Sequence, residues 1–352
     1  MAVRKNKYGT YTADTYDINK DRITKNFKRR IDADDFEAKF RNERREQKLV
    51  QEKLKNVDFA FVPALDDFMN PKLNLRNKTV GKYRQYINQI KGFIKEQNLE
   101  YVSEFTADHA TLLFQTITQP RTIGERTFVP KPKTVNGLIA VIKSFFNDEV
   151  MKGHIVKSPM LHIRNLKVEK VKPEFYTEAE IAMFFGQEMD EPTRLAFQGL
   201  LHTGMRIEEL ANVLWSDVDL EKRLIKVSRK PGFNPKTANS ERAIPLTRPL
   251  YNALKKIKQT GTYVFTSPEG NQIKERRLLN VCKSIAASAG ITSRAFLHKF
   301  RHTYATHLVM NRVPLERVQK LLGHSSITET LIYAHLIPDD MHDDVSVLNK
   351  FR

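Results

Sequence analysis

The stretch Val318-Gln319-Lys320-Leu321-Leu322-Gly323-His324-Ser325-Ser326-Ile327-Thr328-Glu329-Thr330-Leu331-Ile332-Tyr333 reads as two short helices joined at a glycine. Pro314 suits the first turn of the leading helix, and Gly323 can take the left-handed conformation that ends it. Ser326 and Glu329, three residues apart, match a capping box, which starts the second helix there and places Tyr333 about two turns in. Alone, Tyr333 is a core aromatic with its hydroxyl at the surface. Its neighbours in sequence give it more interest.

Upstream, Leu297-His298-Lys299-Phe300-Arg301-His302 puts His298, Arg301 and His302 at i, i+3 and i+4, on one face of a helix. Packing gives little reason to gather cations that repel one another, whereas a phosphate dianion or its transition state does. A metal held by His298 and His302 is the competing reading. Arg301 between them would repel a cation, and no carboxylate completes the ligand set. Further upstream, Thr203-Gly204-Met205-Arg206-Ile207-Glu208-Glu209-Leu210 sets a glycine turn before a helix whose apolar face is Ile207, Leu210, Val213 and Leu214. Arg206 then stands at a helix start, where free backbone N–H groups favour an anion. An arginine in that position is also an ordinary surface cation.

Around these motifs the last portion of the chain alternates helices with one β-rich insertion. Leu224 to Val227 and Arg242 to Leu246 read as strands about a turn at Pro231 to Pro235. Ahead of a basic connector, Arg164 to Lys172, the pattern is helical from about Phe59 to Val168. Val80, Tyr83, Ile87, Ile90 and Ile94 recur at helical steps, as do Val135, Leu138, Ile142, Phe145 and Phe146, and Thr106 opens a helix carrying Ala110, Leu113 and Ile117. A four- or five-helix bundle with an aromatic core follows. At the start, Tyr8 to Ile18 and Arg22 to Ile31 read as a hairpin turning at Asn19 to Asp21. Asp32 can cap a helix bearing Phe36 and Phe40, and Arg41 to Lys55 reads as a charged linker helix. Lys25, Lys28, Arg29 and Arg30 on or beside the second strand are candidate DNA contacts, or a solvated charged strand. The expected fold is therefore multidomain and mainly α with small β elements. It comprises an N-terminal sheet-plus-helix module with its linker helix (1–57), a helical bundle (58–168) and a mixed α/β domain (169–352).

The chain has 352 residues, and 59 Lys plus Arg against 41 Asp plus Glu leave a net charge of +18. A polyanionic partner is the natural inference, with a generic basic protein as the alternative. The single cysteine, Cys282, excludes an internal disulfide framework. No apolar run suggests a membrane span or signal peptide, so a cytoplasmic location is expected.

Two arginines, two or three histidines, a hairpin lysine and a tyrosine, without an acidic triad for Mg²⁺, suit a metal-free phosphodiester transesterification. Preorganised arginines and a histidine donor can stabilise the charge on the non-bridging oxygens. A tyrosine needs cations or a base beside it to act as a nucleophile at neutral pH. The leaving 5′-oxygen needs a proton, which a lysine can supply.

Together these residues resemble the tyrosine recombinase, or phage integrase, family. In that family an Arg follows a Thr-Gly turn, a Lys sits on a β-hairpin, a His-x-x-Arg pair lies on a helix, and Leu-Gly-His precedes the Tyr by nine residues. The matching residues are Arg206, Lys236, His298, Arg301, His324 and Tyr333, with His324 and Tyr333 nine apart. The resemblance implies that Arg206 and Arg301 clamp the scissile phosphate, His324 hydrogen-bonds it and Glu209 supports Arg206. It implies that His298 assists proton removal from Tyr333 and that Lys236, with Lys230 as its competitor, protonates the 5′-oxygen.

For the rest of the chain the resemblance implies a core-binding domain in the bundle and an arm-binding module at the N-terminus, which favours an integrase of a mobile element. It also implies double-stranded attachment sites as substrate, a tetramer assembled on DNA through the tail carrying Val345, Val347, Leu348 and Phe351, an accessory excisionase or DNA-bending protein, and no cofactor. A type IB topoisomerase and an inactive DNA-binding relative are the alternatives.

Overall fold

The computed structural model describes residues 3–16, 22–54, 58–169, 171–235, 240–259, 261–338, 345 and 347–350. The chain forms two compact units, Met1–Glu169 and Lys170–Arg352.

The first unit opens with β1 (Arg4–Lys5), β2 (Tyr11–Tyr16) and β3 (Arg22–Phe27), an antiparallel sheet in that order, with Thr12 opposite Asn26 and Thr15 opposite Ile23. The expected turn at Asn19 to Asp21 lies outside the described residues. Alternation along β2 buries Ala13 and Thr15 on one face, against which packs α1 (Arg30–Leu54) with Ala33 buried. Phe27, Phe36 and Phe40 form a chain of ring contacts, 5.2 and 4.9 Å between centroids.

Two details correct the sequence reading. Helix and linker are one continuous α1, and it begins at Arg30, so Asp32 lies in its first turn, paired with Arg29 at 2.7 Å rather than capping it. Arg30, 3.6 Å from Asp34, belongs to the helix and not to the strand.

The bundle consists of α2 (Phe61–Met69), α3 (Asn77–Glu96), α4 (Ala107–Thr118) and α5 (Pro132–Met151). Of the residues expected to face inward on α3, α4 and α5, all but the partly buried Tyr83 are buried. Thr106 caps α4, its hydroxyl accepting from the His109 amide. Phe61, Phe105, Phe145 and Phe146 meet edge-on or stacked, so they are core rings and not base platforms. A short hairpin, β4 (Arg121–Ile123) with β5 (Arg126–Phe128), interrupts the expected all-helical pattern.

The second unit contains α6 (Glu178–Phe185), α7 (Glu191–Thr203), α8 (Ile207–Leu210), then β6 (Val218–Asp219), β7 (Leu224–Val227) and β8 (Arg242–Pro245) in an antiparallel sheet of that order. Helices α9 (Arg248–Lys256), α10 (Glu275–Ser288), α11 (Leu297–Met310), α12 (Leu315–Leu322) and α13 (Ile327–Thr330) follow. Its main core centres on Phe184, Phe197 and Phe300, where burying each ring contributes roughly 1.5–3 kcal/mol. A smaller cluster joins Ala305 and Val309 of α11 to Val318 and Leu322 of α12 and to Tyr333. The chain is thus mainly helical with small sheets. Among the described residues no helix is long and apolar enough to cross a membrane.

Candidate active site

The site is assembled around Arg301, which is 1% exposed. Leu297 and Phe300 fix its helix in the main core, and Ala305 and Val309 in the smaller one. Its Nη1 donates to the Gly204 carbonyl at 2.7 Å and its Nη2 to the Leu322 carbonyl at 2.8 Å. One guanidinium therefore ties the turn before Arg206 to the helix end before His324. The planar guanidinium, with donors fixed on two separate nitrogens, holds both carbonyls in one geometry.

Gly204 ends α7 at φ +61°, and a Cβ there would lie 2.5 Å from the Tyr304 ring. The tight turn sets Arg206 as the cap residue of α8, with its amide donating to Glu209 Oε2 at 3.0 Å and its Nη1 to Glu209 Oε1 at 2.8 Å. The helix expected to continue through Val213 and Leu214 stops at Leu210. Asp217 instead accepts from the Leu214 amide at 2.8 Å and starts another turn.

Glu209 has a second partner that sequence reasoning did not single out. Arg242 on β8, its side chain 6% exposed, donates to Glu209 Oε2 at 2.9 Å and to the Leu321 carbonyl at 2.6 Å. Burial alone would raise the Glu209 carboxyl. Arg242, Arg301 and Arg206 outweigh it and hold the group below its usual range. Three arginines around one carboxylate leave an excess of positive charge, which makes the place a receptor for an anion. No periodicity marks Arg242, because a strand residue 36 positions from Arg206 reaches it only through the tertiary fold.

Gly323 ends α12 at φ +67° and turns the chain so that His324 is buried, with Nδ1 2.9 Å from the Thr330 hydroxyl. Burial first and then Arg301 depress its pKa to about 4, so the ring is neutral at pH 7. His298 is more open to solvent. Crowding by protein, then His302, Arg301 and Arg206, also push it well below its ordinary value.

The nucleophile candidate departs from expectation in three respects. Helix α13 is one turn long, and Tyr333 lies in a tighter 3-10 segment, Leu331–Leu336. Ser326 caps α13 as expected, its hydroxyl accepting from the Thr328 amide, but the reciprocal bond is displaced: Glu329 accepts from the Ser325 amide and hydroxyl, at 3.2 and 2.8 Å. Tyr333 is 1% exposed, and its hydroxyl meets Nδ1 of His302 at 2.7 Å. The hydrogen-bond partner is therefore His302 and not His298, whose ring stands edge-on to His302 at 4.8 Å. Burial raises the Tyr333 phenol to about 12, with Arg301 acting in the opposite direction. His302, depressed by burial and Arg301, can accept a proton.

Lys236 lies outside the described residues. Its competitor Lys230 is committed elsewhere, paired with Asp217 and donating to the Asn212 carbonyl at 3.0 Å. Of the suggested DNA contacts, Arg29 and Arg30 are exposed and paired to Asp32 and Asp34. Lys25 lies over Phe27 and Phe36 at 5.6 and 5.5 Å, and Lys28 is exposed. These four stand in the first unit, in a separate compact body from the site above.

Residues 170–339, which hold every residue of this site, match the phage integrase family. A tyrosine recombinase XerC-like protein of Caldanaerobacter subterraneus subsp. tengcongensis is 34% identical over 258 residues, which is 62% of this chain and 66% of the relative. The tyrosine recombinase XerC of Bacillus subtilis is 26% identical over 78% of this chain and 91% of its own length. In fold, the chain is similar to the Tn1549 transposon integrase solved with a circular intermediate DNA. The TM-score is 0.65 at 21% identity, covering 82% of this chain and 99% of that one. It is likewise similar to a lambda integrase dimer bound to a COC′ core site, with TM-score 0.65, 16% identity and coverage of 96% and 95%. Residues 170–339 thus carry a phage integrase family domain, and the relatives that match the chain are tyrosine recombinases.

Proposed function

We propose that the chain is a site-specific DNA recombinase, an integrase that cleaves and rejoins DNA through a 3′-phosphotyrosine at Tyr333 and so integrates and excises a mobile element. The observation that carries this reading is the Tyr333 hydroxyl held on His302, whose chain neighbour is the doubly anchored Arg301. Arg206 and Arg301 bind the non-bridging oxygens of the scissile phosphate, and His324 donates to one of them. The phenolic oxygen attacks phosphorus, forming the O–P bond as the bond to the 5′-oxygen breaks. The phenolic proton passes to the neutral histidine pair, His302 in contact and His298 beside it. Lys236 gives the leaving 5′-oxygen its proton. Rejoining reverses these steps, and the phosphotyrosine conserves the bond energy, so no cofactor is required.

The division of labour follows the three parts, with residues 1–57 as arm-binding module, 58–168 as core-binding bundle and 169–352 as catalytic domain. Double-stranded attachment sites are the substrate. A tetramer on DNA is supported by the exposed Val345 and Leu348 of the tail, whose Phe351 and Val347 side chains lie outside the described residues. An excisionase or DNA-bending protein and a cytoplasmic setting complete the proposal. A second reading, a recombinase acting on a chromosome, draws on the XerC relatives. The N-terminal sheet module and the likeness to the lambda integrase dimer across 96% of the chain favour a mobile element.

The test is incubation, without Mg²⁺ or ATP, with nicked suicide substrates spanning the element's junction. A denaturation-resistant protein–DNA adduct mapped to Tyr333 supports the proposal. Its absence on a substrate that the protein binds overturns it.

A further inference from the structure

Between α4 and α5 the bundle carries an element that its core does not use. In the β4–β5 hairpin Ile123 stands opposite Arg126, and Gly124 takes φ +60°. A two-residue loop with positive φ at the glycine in first place and not at Glu125 is a type II′ turn, whose twist suits paired strands. A Cβ on Gly124 would meet nothing within 4 Å, so the tip stands in open space. Pro120 before β4 and Pro130 after β5 stiffen both ends of the stem.

The register sorts the side chains. Arg121 lies opposite Phe128 and Ile123 opposite Arg126, so both arginines and Phe128 share one face, while Thr122 and Thr127 occupy the other. Arg121, Arg126 and Phe128 are exposed, Phe128 by 52%. The stretch from 119 to 133 carries Arg121, Arg126, Lys131 and Lys133 against Glu125 alone. A stiff, cationic ribbon with an exposed aromatic is complementary to a polyanion, not to the chain's own core.

We propose that the β4–β5 ribbon is a DNA-binding element in its own right, laid in the major groove of duplex DNA. Arg126 beside the turn faces base edges, Arg121 at the stem faces phosphates, and Phe128 packs on thymine methyl groups. The major groove, about 12 Å wide, admits a two-stranded ribbon as it stands, whereas the minor groove, about 6 Å wide, must first be widened at a cost in DNA deformation. This inference rests on the reading of the chain as a DNA-acting protein.

Two measurements on the full chain test it. In the first, Glu125→Cys provides a tip thiol that can be labelled with an aryl azide, since the one native cysteine, Cys282, is fully buried. Irradiation with duplex DNA is expected to cross-link the tip to DNA, with methyl green, a major-groove ligand, blocking the reaction and netropsin, a minor-groove ligand, leaving it intact. In the second, joint replacement Arg121→Ala and Arg126→Ala is expected to weaken duplex binding at least about tenfold. It should also make the slope of log affinity against log salt shallower by about one to two. Thermal unfolding should not move, because the altered side chains are exposed.

Unchanged affinity and slope, with the wild-type chain binding DNA normally, would overturn the proposal. Cross-linking to a second copy of the chain in place of DNA would also overturn it and make the ribbon a protein interface. Failure of the wild-type chain to bind any duplex would instead overturn the underlying reading.

Discussion

The Tyr333 hydroxyl lies 2.7 Å from Nδ1 of His302, a residue one helical turn beyond His298 on α11. Removal of either partner therefore separates chemistry from binding. Tyr333→Phe is expected to bind DNA at wild-type affinity and form no covalent adduct. His302→Ala is expected to lower the cleavage rate by about 10²-fold or more, the range of a lost proton acceptor, at unchanged affinity. Single-turnover cleavage alongside equilibrium binding checks both, and undiminished cleavage by His302→Ala would remove that residue from the reaction.

Arg301→Lys keeps the charge but cannot serve the Gly204 and Leu322 carbonyls together. A loss of about 10³-fold in cleavage is expected, with destabilisation of roughly 1–3 kcal/mol from the abandoned buried carbonyl. Urea unfolding and adduct formation measure the two effects separately.

Arg242→Ala leaves Glu209 with Arg206 as its hydrogen-bonded partner and strips the Leu321 carbonyl of its donor. Breaking a buried ion pair from one side costs about 3–5 kcal/mol. Unfolding of Arg242→Ala and the double variant Arg242→Ala with Glu209→Gln is the check. The double variant is expected to recover part of the loss, since the buried carboxylate left with Arg206 alone is replaced by a neutral amide.

Lys236 and Lys230 can be told apart by the leaving group. Lys236→Met is expected to lose cleavage of ordinary DNA and regain it on a substrate with a 5′-bridging sulfur, which leaves without a proton. Lys230→Met, which exposes Asp217 to burial without its partner, is expected to lose stability and show no such rescue. Rescue of Lys230→Met alone would reverse the assignment.

Acid weakens this site in a defined window. The folded pKa of His324 is about 4, below its ordinary 6.5, so the unfolded chain binds the proton more readily. The stability from its neutral, buried state is full above pH 6.5 and is lost as pH falls towards 4. For His324 alone the loss amounts to at most about 3 kcal/mol. His298 and His302 shift in the same direction. Denaturation at pH 7.5 and pH 5 should show the wild type losing more stability than His324→Gln.

The sequence by itself determined the helices and the identity of most of the site. Apolar steps of three and four residues placed α3, α4 and α5, and Gly204 and Gly323, as left-handed stops, located the turns that deliver Arg206 and His324. These are local decisions, made by backbone sterics and side-chain period, and local order carries them. The tertiary structure decided which groups meet.

Strands as short as β1 and β6 exist only because a partner strand lies beside them, so no run of residues announces them. Arg242 on β8 reaches Glu209 on α8, and His302, not His298, receives Tyr333 because the 3-10 segment packs on α11. A shared helix face left both histidines available. The choice between them depends on the position of a chain segment some thirty residues away, and only packing fixes that position.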